Sequence, residues 1–342
     1  MTPRWQEFLG ANGARIDSDS GLVTDFGDLA AELGAARNAT VVSPLTHLGL
    51  LEFSGDEAKT YLQNQLTSDV NHLGADQAQH SSWCSAKGRM LASFVVYRDG
   101  TDYRTLLSAD LLDAIQKRLQ IYVLRSKVKI ARRSDDFEFV GLSGPEAERA
   151  LQNAGLPVPS VAMATAAANG ATVIRLDDKR FILAIPVDTV SDVWKQLTAI
   201  ARPAGTTVWQ WLDIQAGIPL ISEPTKEAFV PQMVNFDTIG GVSFKKGCYP
   251  GQEVIARTHY LGKVKRHLYR FHADGPVAAG NVLHAPGAPD QACGMVANAA
   301  PAPDGGYDGL AVVLENDAGA VPAVEITGNQ RVLSHFVPVV VE

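Results

Sequence analysis

Apolar positions recur along this chain at two spacings, and the spacing decides what each segment predicts. Asp56 to Leu66 carries Ala58, Tyr61, Leu62, Gln65 and Leu66 at helical intervals, with Asp56 placed as an N-cap. Leu91 to Tyr97 predicts a strand, Asp99-Gly100 a turn, and Tyr103 to Leu107 a second strand. Asp110 to Tyr122 repeats Leu111, Leu112, Ile115, Leu119 and Tyr122 as one helical stripe, and Lys127 to Ala131 alternates as a strand. A second cycle follows: the run Phe139 to Leu142, a helix over Glu146 to Ala154, strands at Thr172 to Leu176 and Arg180 to Ile185, and a helix over Ser191 to Ala201. The alanine-rich stretch Val161 to Ala171 reads as a surface loop. Strand pairs alternating with helices in two blocks predict α+β layers, with helices covering antiparallel sheets.

The pattern changes after about residue 262. Val264 to Phe271, Ala292 to Ala297, Gly309 to Leu314 and Arg331 to Val341 are short strand-like runs. Clusters such as Ala285-Pro286-Gly287 and Pro303-Asp304-Gly305-Gly306 separate them. This predicts a small all-β tail, a barrel. No repeat of solenoid period is present.

Composition narrows the class without naming a function. Over 342 residues the chain is 46% hydrophobic and 20% charged, an ordinary globular balance in which disorder is not expected. Its first residues lack the apolar core of a secretion signal, and no run approaches the roughly 18 apolar residues of a membrane span, so a cytoplasmic protein is expected. Cys84, Cys248 and Cys293 are far apart and form no C-x-x-C pair, which argues against a disulfide framework and a four-cysteine metal site. The scattered histidines show no zinc spacing, so no metal is expected, and no phosphate-binding glycine motif supports ATP or NAD. The net charge is −7, yet Lys245, Lys246, Arg257, Lys263, Lys265, Arg266 and Arg270 face only Glu253 between Ser243 and Arg270. Such a local excess attracts an anion, though charge runs more often serve as a solvated face.

The segment Phe244-Lys245-Lys246-Gly247-Cys248-Tyr249-Pro250-Gly251-Gln252-Glu253 lies inside that basic stretch. Glycines on both sides of Cys248, with a proline before the second, make a shaped turn rather than an element interior. Two lysines beside a thiol on such a turn favour the thiolate, the reactive form; the competing reading is a small buried hydrophobe. A helix is predicted from Gln252, with Glu253 in its first turn, where a carboxylate suits the dipole.

Lys246-Gly247-Cys248-Tyr249-x-Gly251-Gln252-Glu253 resembles the K-G-C-[YF]-x-G-Q-E motif of the YgfZ-type folate-binding proteins. These are relatives of the glycine-cleavage T-protein, an aminomethyltransferase. The resemblance extends to Tyr61-Leu62-Gln63-Asn64-Gln65-Leu66-Thr67-Ser68-Asp69-Val70, Ala86-Lys87-Gly88-Arg89, Trp209-x-x-Leu212-x-Ile214-x-Ala216-Gly217-Ile218-Pro219 and Pro231-Gln232-Met233-Val234-Asn235. Position 250, often Thr in bacterial relatives, is Pro here. The family implies three domains in a ring around a folate channel. Residues 1–52 with 132–225 would form a first α+β domain, 53–131 with 226–262 a second interwoven with it, and 263–342 a β-barrel.

The resemblance further implies binding of tetrahydrofolate or another reduced folate, and support of iron–sulfur cluster assembly or repair and thereby of tRNA modification. Implied partners are the folate and iron–sulfur enzymes such as tRNA methylthiotransferases, with neither a membrane nor direct tRNA contact expected. Cys248 is the implied functional thiol. Trp209 corresponds to a tryptophan of the folate site, and Leu48, beside His47, stands where bacterial relatives carry a second. Lys246, Gly247, Tyr249, Gln252 and Glu253 are the motif residues assigned to folate, and Arg257, like Lys87, is a candidate for its acidic tail. Trp209 and Trp211 stand two apart on one predicted helix, so only one is expected to face inward. Cys84 reads as a half-buried strand cysteine. Ala92 and Ser93 stand where T-proteins carry two aspartates, which counts against the alternative of a one-carbon transferase or demethylase, since neither can act as a carboxylate base. Whether the chain is an enzyme at all is left open by this departure.

Overall fold

The structure, a computed structural model, describes residues 1–262, 264–285, 288–314, 325–326 and 329–340. Lys263, Pro286, Gly287 and Val341 of the sequence reading lie outside them. The fold is α+β, and the chain divides into two compact units, each assembled from three segments. The first comprises residues 1–58, 73–79 and 95–209, and the second 59–72, 80–94 and 210–342. The strands that follow residue 262 fall within the second unit.

The first unit opens with helix α1 (Pro3–Ala11), the short ladder of β1 (Arg15–Ile16) with β2 (Val23–Asp25), and α2 (Leu29–Asn38). Its main sheet contains β3 (Val41–Pro44), β9 (Phe137–Ser143), β10 (Thr165–Ala168), β11 (Ala171–Arg175), β12 (Arg180–Pro186) and β13 (Arg202–Pro203), in the order β10-β11-β12-β9-β3-β13. Every residue of β9 is buried, which explains its unbroken apolar run: a strand covered on both faces has no polar side to alternate with. Helices α5 (Ala147–Asn153) and α6 (Val190–Thr198) add Ala150, Leu151, Trp194 and Leu197 to a core that includes Trp5 and Leu9 of α1. Trp5 meets Trp194 edge to face at 5.5 Å.

A five-stranded sheet has the order β5-β6-β7-β4-β8, from β4 (Leu48–Ser54), β5 (Ala78–Cys84), β6 (Met90–Asp99), β7 (Asp102–Ser108) and β8 (Lys129–Arg132). The chain passes between units within β5 and again within β6. The Asp99-Gly100 hairpin is present, with Asp99 opposite Asp102. Helix α4 (Leu112–Ile121) buries Leu112, Ile115 and Leu119, while Tyr122 sits at its C-cap, exposed and off the expected stripe. The helix expected from Asp56 is α3 (Ala58–Gln65), two residues shorter at its start, so Asp56 lies in the preceding turn rather than at the cap.

The alanine-rich segment is not a loop throughout: β10 pairs with β11 from Thr165 opposite Ile174 to Ala168 opposite Ala171. Asn169 and Gly170 turn the chain at φ +54° and +79°, the two positive values a tight hairpin requires. Alanines carry little β-propensity, and pairing with the apolar strand β11 decides their conformation.

In the second unit, α8 (Gln252–Tyr260) begins where expected. Beyond it lie β14 (Arg266–Ala273), β15 (Val282–Ala285), β16 (Ala288–Pro301), β17 (Tyr307–Leu314), β18 (Glu325–Ile326) and β19 (Asn329–Pro338). Their pairings run β14-β17-β16-β15-β18-β19, and β19 returns to β14, so the ladder closes on itself. Phe271, Leu283, Val296 and Val313 fill its core. Helix α7 (Thr206–Gln215) carries the chain from the first unit into the second after Trp209.

Candidate functional site

The Cys248 segment is held by a hydroxyl and carbonyl scaffold that starts at the end of α3. Thr67 Oγ1 donates to Gly241 O at 2.6 Å, Ser243 N donates to Thr67 O at 2.9 Å, and Ser68 and Ser81 share a hydroxyl bond at 2.7 Å. Lys246 then reaches inward, its Nζ donating to Leu66 O at 2.6 Å and Ser68 O at 2.8 Å. The lysine is 7% exposed, and burial pushes its pKa down to about 8 against the opposing pull of Asp69. Its ammonium also lies 5.1 Å from the centre of the buried Tyr249 ring. Lys246 is therefore an anchor whose charge is committed to main-chain oxygens.

Glycine geometry joins this turn to the Ala86-Lys87-Gly88-Arg89 turn. Gly251 has φ +79°, and a Cβ on it would lie 2.5 Å from Ser85 O and 2.7 Å from Gly88 Cα. Gly88, at φ +70°, faces Val254 of α8 in the same way. The two motifs, far apart in sequence, are one backbone junction. Gln232, from the third motif, donates its Nε2 to Ile255 O at 2.8 Å, while its Oε1 is buried and accepts no hydrogen bond from the described residues. Ser85 Oγ is likewise buried and has no partner among the described residues. On the flank, Phe244 stacks on His259 with ring centroids 3.7 Å apart.

Within this frame Cys248 is exposed, as are Gly247, Glu253 and Arg257, while Gln252 is half-buried. Lys87 is exposed too. Cys84 and Cys293 are buried; burial pushes the Cys84 thiol up to about 12, partly offset by Ser82, and pushes Cys293 up as well. The phenol of Tyr249 is also driven upward, by burial and by the nearby Cys84 sulfur. The arrangement presents one accessible sulfur on a rigid turn and keeps the other two thiols out of reach. Among the described residues no cluster of His, Cys, Asp and Glu could hold a metal ion, and no helix is long and apolar enough to cross a membrane.

Trp209 and Leu48 belong to the first unit and not to this cluster. Leu48 is half-buried at the start of β4, and the adjacent His47 is buried, its pKa pushed down to about 4 by desolvation. Trp209 is 1% exposed and packs against Gly141, where a Cβ would come within 2.3 Å of its ring. Trp211 is buried as well, its Nε1 donating to Asp308 at 2.8 Å, contrary to the expectation that one of the pair faces out. Trp209 packs within the first unit and Trp211 bonds within the second, so each has its own enclosing partner. Ala92 and Ser93 are buried in β6, and Ser93 Oγ accepts the N–H of Ile221 at 2.9 Å. Gln232 and Ser85 were not singled out as site residues in the sequence. Gln232 stood in a motif, which was the available signal; nothing local marked Ser85.

Residues 23–239 match the GCVT N-terminal domain family. The tRNA-modifying protein YgfZ of Cronobacter sakazakii is 33% identical over 244 residues, covering 70% of this chain and 74% of that protein. The chain belongs to the YgfZ family. The tRNA-modifying protein YgfZ of Vibrio vulnificus is 34% identical over 234 residues, with 67% of this chain and 69% of its own length covered. The glycine cleavage system aminomethyltransferase T from Bartonella henselae shares the fold, with a TM-score of 0.81, 18% identity, and 98% and 96% of the two chains covered. The YgfZ relatives thus extend across both units, and the Cys248 junction lies just beyond the matched GCVT segment.

Proposed function

We propose that this protein binds a reduced folate, tetrahydrofolate or a derivative, and supports iron–sulfur cluster assembly or repair and, through it, tRNA modification. The observation that carries the reading is Cys248, an exposed sulfur on a turn held from below by Lys246 and Tyr249. Support for the tRNA link comes from the YgfZ relatives, which are named tRNA-modifying proteins. The aminomethyltransferase fold supports the folate link.

Gln232 Oε1 and Ser85 Oγ fit a ligand that brings N–H donors, as a pterin does, because buried polar atoms without partners gain most from acquiring them. Gln232 is fixed for this by its own bond to Ile255 O, which leaves the amide oxygen as the available acceptor. Arg257 and Lys87, both exposed, would meet the acidic tail. A bound reduced folate supplies a nitrogen that carries one-carbon units and a ring that yields electrons. Stacking on Trp209, like access to Gln232 Oε1 and Ser85 Oγ, would require movement of the residues that enclose it. Cys248 acts as nucleophile, redox thiol or transient ligand; one thiol holds no stable cluster alone, so a cluster contact needs a partner's ligands. The three-domain ring and a cytoplasmic location belong to the same proposal.

A one-carbon transferase is the rival reading. Ala92 and Ser93 weigh against it: one is apolar, and the other's hydroxyl is engaged by the main chain. The deciding experiment deletes the gene, profiles tRNA thiolation and iron–sulfur enzyme activities, and complements with wild type and Cys248→Ser. Wild type should restore both and the variant neither. Full rescue by Cys248→Ser would remove the thiol from the function and leave the motif as a structural turn.

A further inference from the structure

We propose that the second unit holds a separate binding site for an amphipathic anion, a carboxylate carried on an apolar body. A cavity of about 310 Å³ is lined by Arg89, Phe229, Arg266, Val282, Met295 and Val312, together with Gly294. It lies against the outer wall of the β14–β19 ladder: Leu283, Val296 and Val313 point into the core, so the alternating Val282 and Val312 point the other way. Gly294 keeps that wall low, since a Cβ there would lie 2.5 Å from Val312 O. The opposite wall is placed by Met90 N donating to Phe229 O at 2.8 Å and by Arg89 donating to Ala228 O.

The cavity walls are apolar, yet two half-buried guanidinium groups border it and, among the described residues, no acidic one does. Among the described residues neither arginine forms an ion pair. Partly desolvated cations without a counter-charge are costly, and guanidinium groups match carboxylates in shape and hydrogen bonding. The volume stands at the lower end of ligand cavities, roughly 300–1,000 Å³, which suits a bicyclic aromatic acid or a short acyl chain. This inference goes beyond the proposed function and does not rest on it.

The test titrates the full chain with 2-naphthoate and with 2-naphthamide, which has the same shape without the charge, by ligand-observed NMR in saturating tetrahydrofolate. The acid should bind at least tenfold more tightly than the amide. Arg266→Gln should bring the acid to the amide's level, and Arg89→Gln should weaken it severalfold. Ala292→Phe, at an exposed lining position, should exclude both ligands while leaving every charge in place, which separates occupancy from folding. Equal binding of acid and amide, an unchanged acid affinity in Arg266→Gln, or displacement of 2-naphthoate by tetrahydrofolate would each overturn the proposal.

Discussion

Gly251 and Gly88 meet backbone to backbone: a Cβ on Gly251 would lie 2.7 Å from Gly88 Cα. Neither side of that contact can retreat cheaply, because Gly251 also caps α8 and Gly88 closes the turn in which Ser85 N bonds Arg89 O. Gly251→Ala should therefore destabilise the protein by about 1–3 kcal/mol from its positive φ alone, with the clash adding to it. Urea unfolding measures the loss, and an unchanged midpoint would mean that the two turns are not in contact.

Lys246 makes the stability of the second unit depend on pH. Its folded pKa of about 8 lies below the ordinary lysine value of 10.5, so between the two the unfolded chain binds more protons and stability rises with pH. Below about pH 8 both states are protonated and this contribution is flat, with the cost of the buried charge fully present. Melting temperature followed from pH 7 to 10.5 should show the rise on top of other titrations, and Lys246→Met should remove it. The same substitution should lower stability by about 2 kcal/mol at pH 7, since Leu66 O and Ser68 O lose their donor.

Alkylation should distinguish the three thiols. Brief iodoacetamide treatment at neutral pH, read by peptide mass spectrometry, should label exposed Cys248 well before buried Cys84 and Cys293. Labelling of Cys84 at a comparable rate would contradict its burial and its raised pKa.

Trp209 should behave as core. Trp209→Ala should cost about 3–5 kcal/mol, the range for removing a buried large aromatic ring, and Gly141→Ala should destabilise through the same contact. Trp209→Phe should leave tetrahydrofolate affinity within threefold when measured by calorimetry. A tenfold loss of affinity without loss of stability would make the ring a ligand contact.

Transfer of a one-carbon unit from a methylated amine to tetrahydrofolate should be undetectable, and Ser93→Asp should not create it, because Ser93 Oγ is already tied to Ile221 N. Turnover at enzyme-like rates in the wild type would support the transferase reading instead.

Much of the fold is legible in periodicity because packing of the nearest layer imposes it. The stripe Leu112, Ile115 and Leu119, the hairpin around Asp99-Gly100 and the buried run of β9 are each determined within a dozen residues. The β10 strand was not legible, since its alanines are strand only through pairing with β11. β15 and β18 were missed for a related reason: both are short, and ladder partners rather than their own patterns define them.

The sequence by itself determined the Cys248 motif, its glycine-shaped turn, the helix after it and the absence of carboxylates at positions 92 and 93. Those are local or compositional facts. Only the tertiary structure decided that Lys246 spends its charge on carbonyls 180 and 178 positions earlier, and that Gly251 rests on Gly88. It also decided that Trp209 is enclosed and that Gln232 keeps a buried acceptor without a partner among the described residues. Long-range hydrogen bonds and desolvation set these roles, and neither leaves a trace in the spacing of residues along a chain.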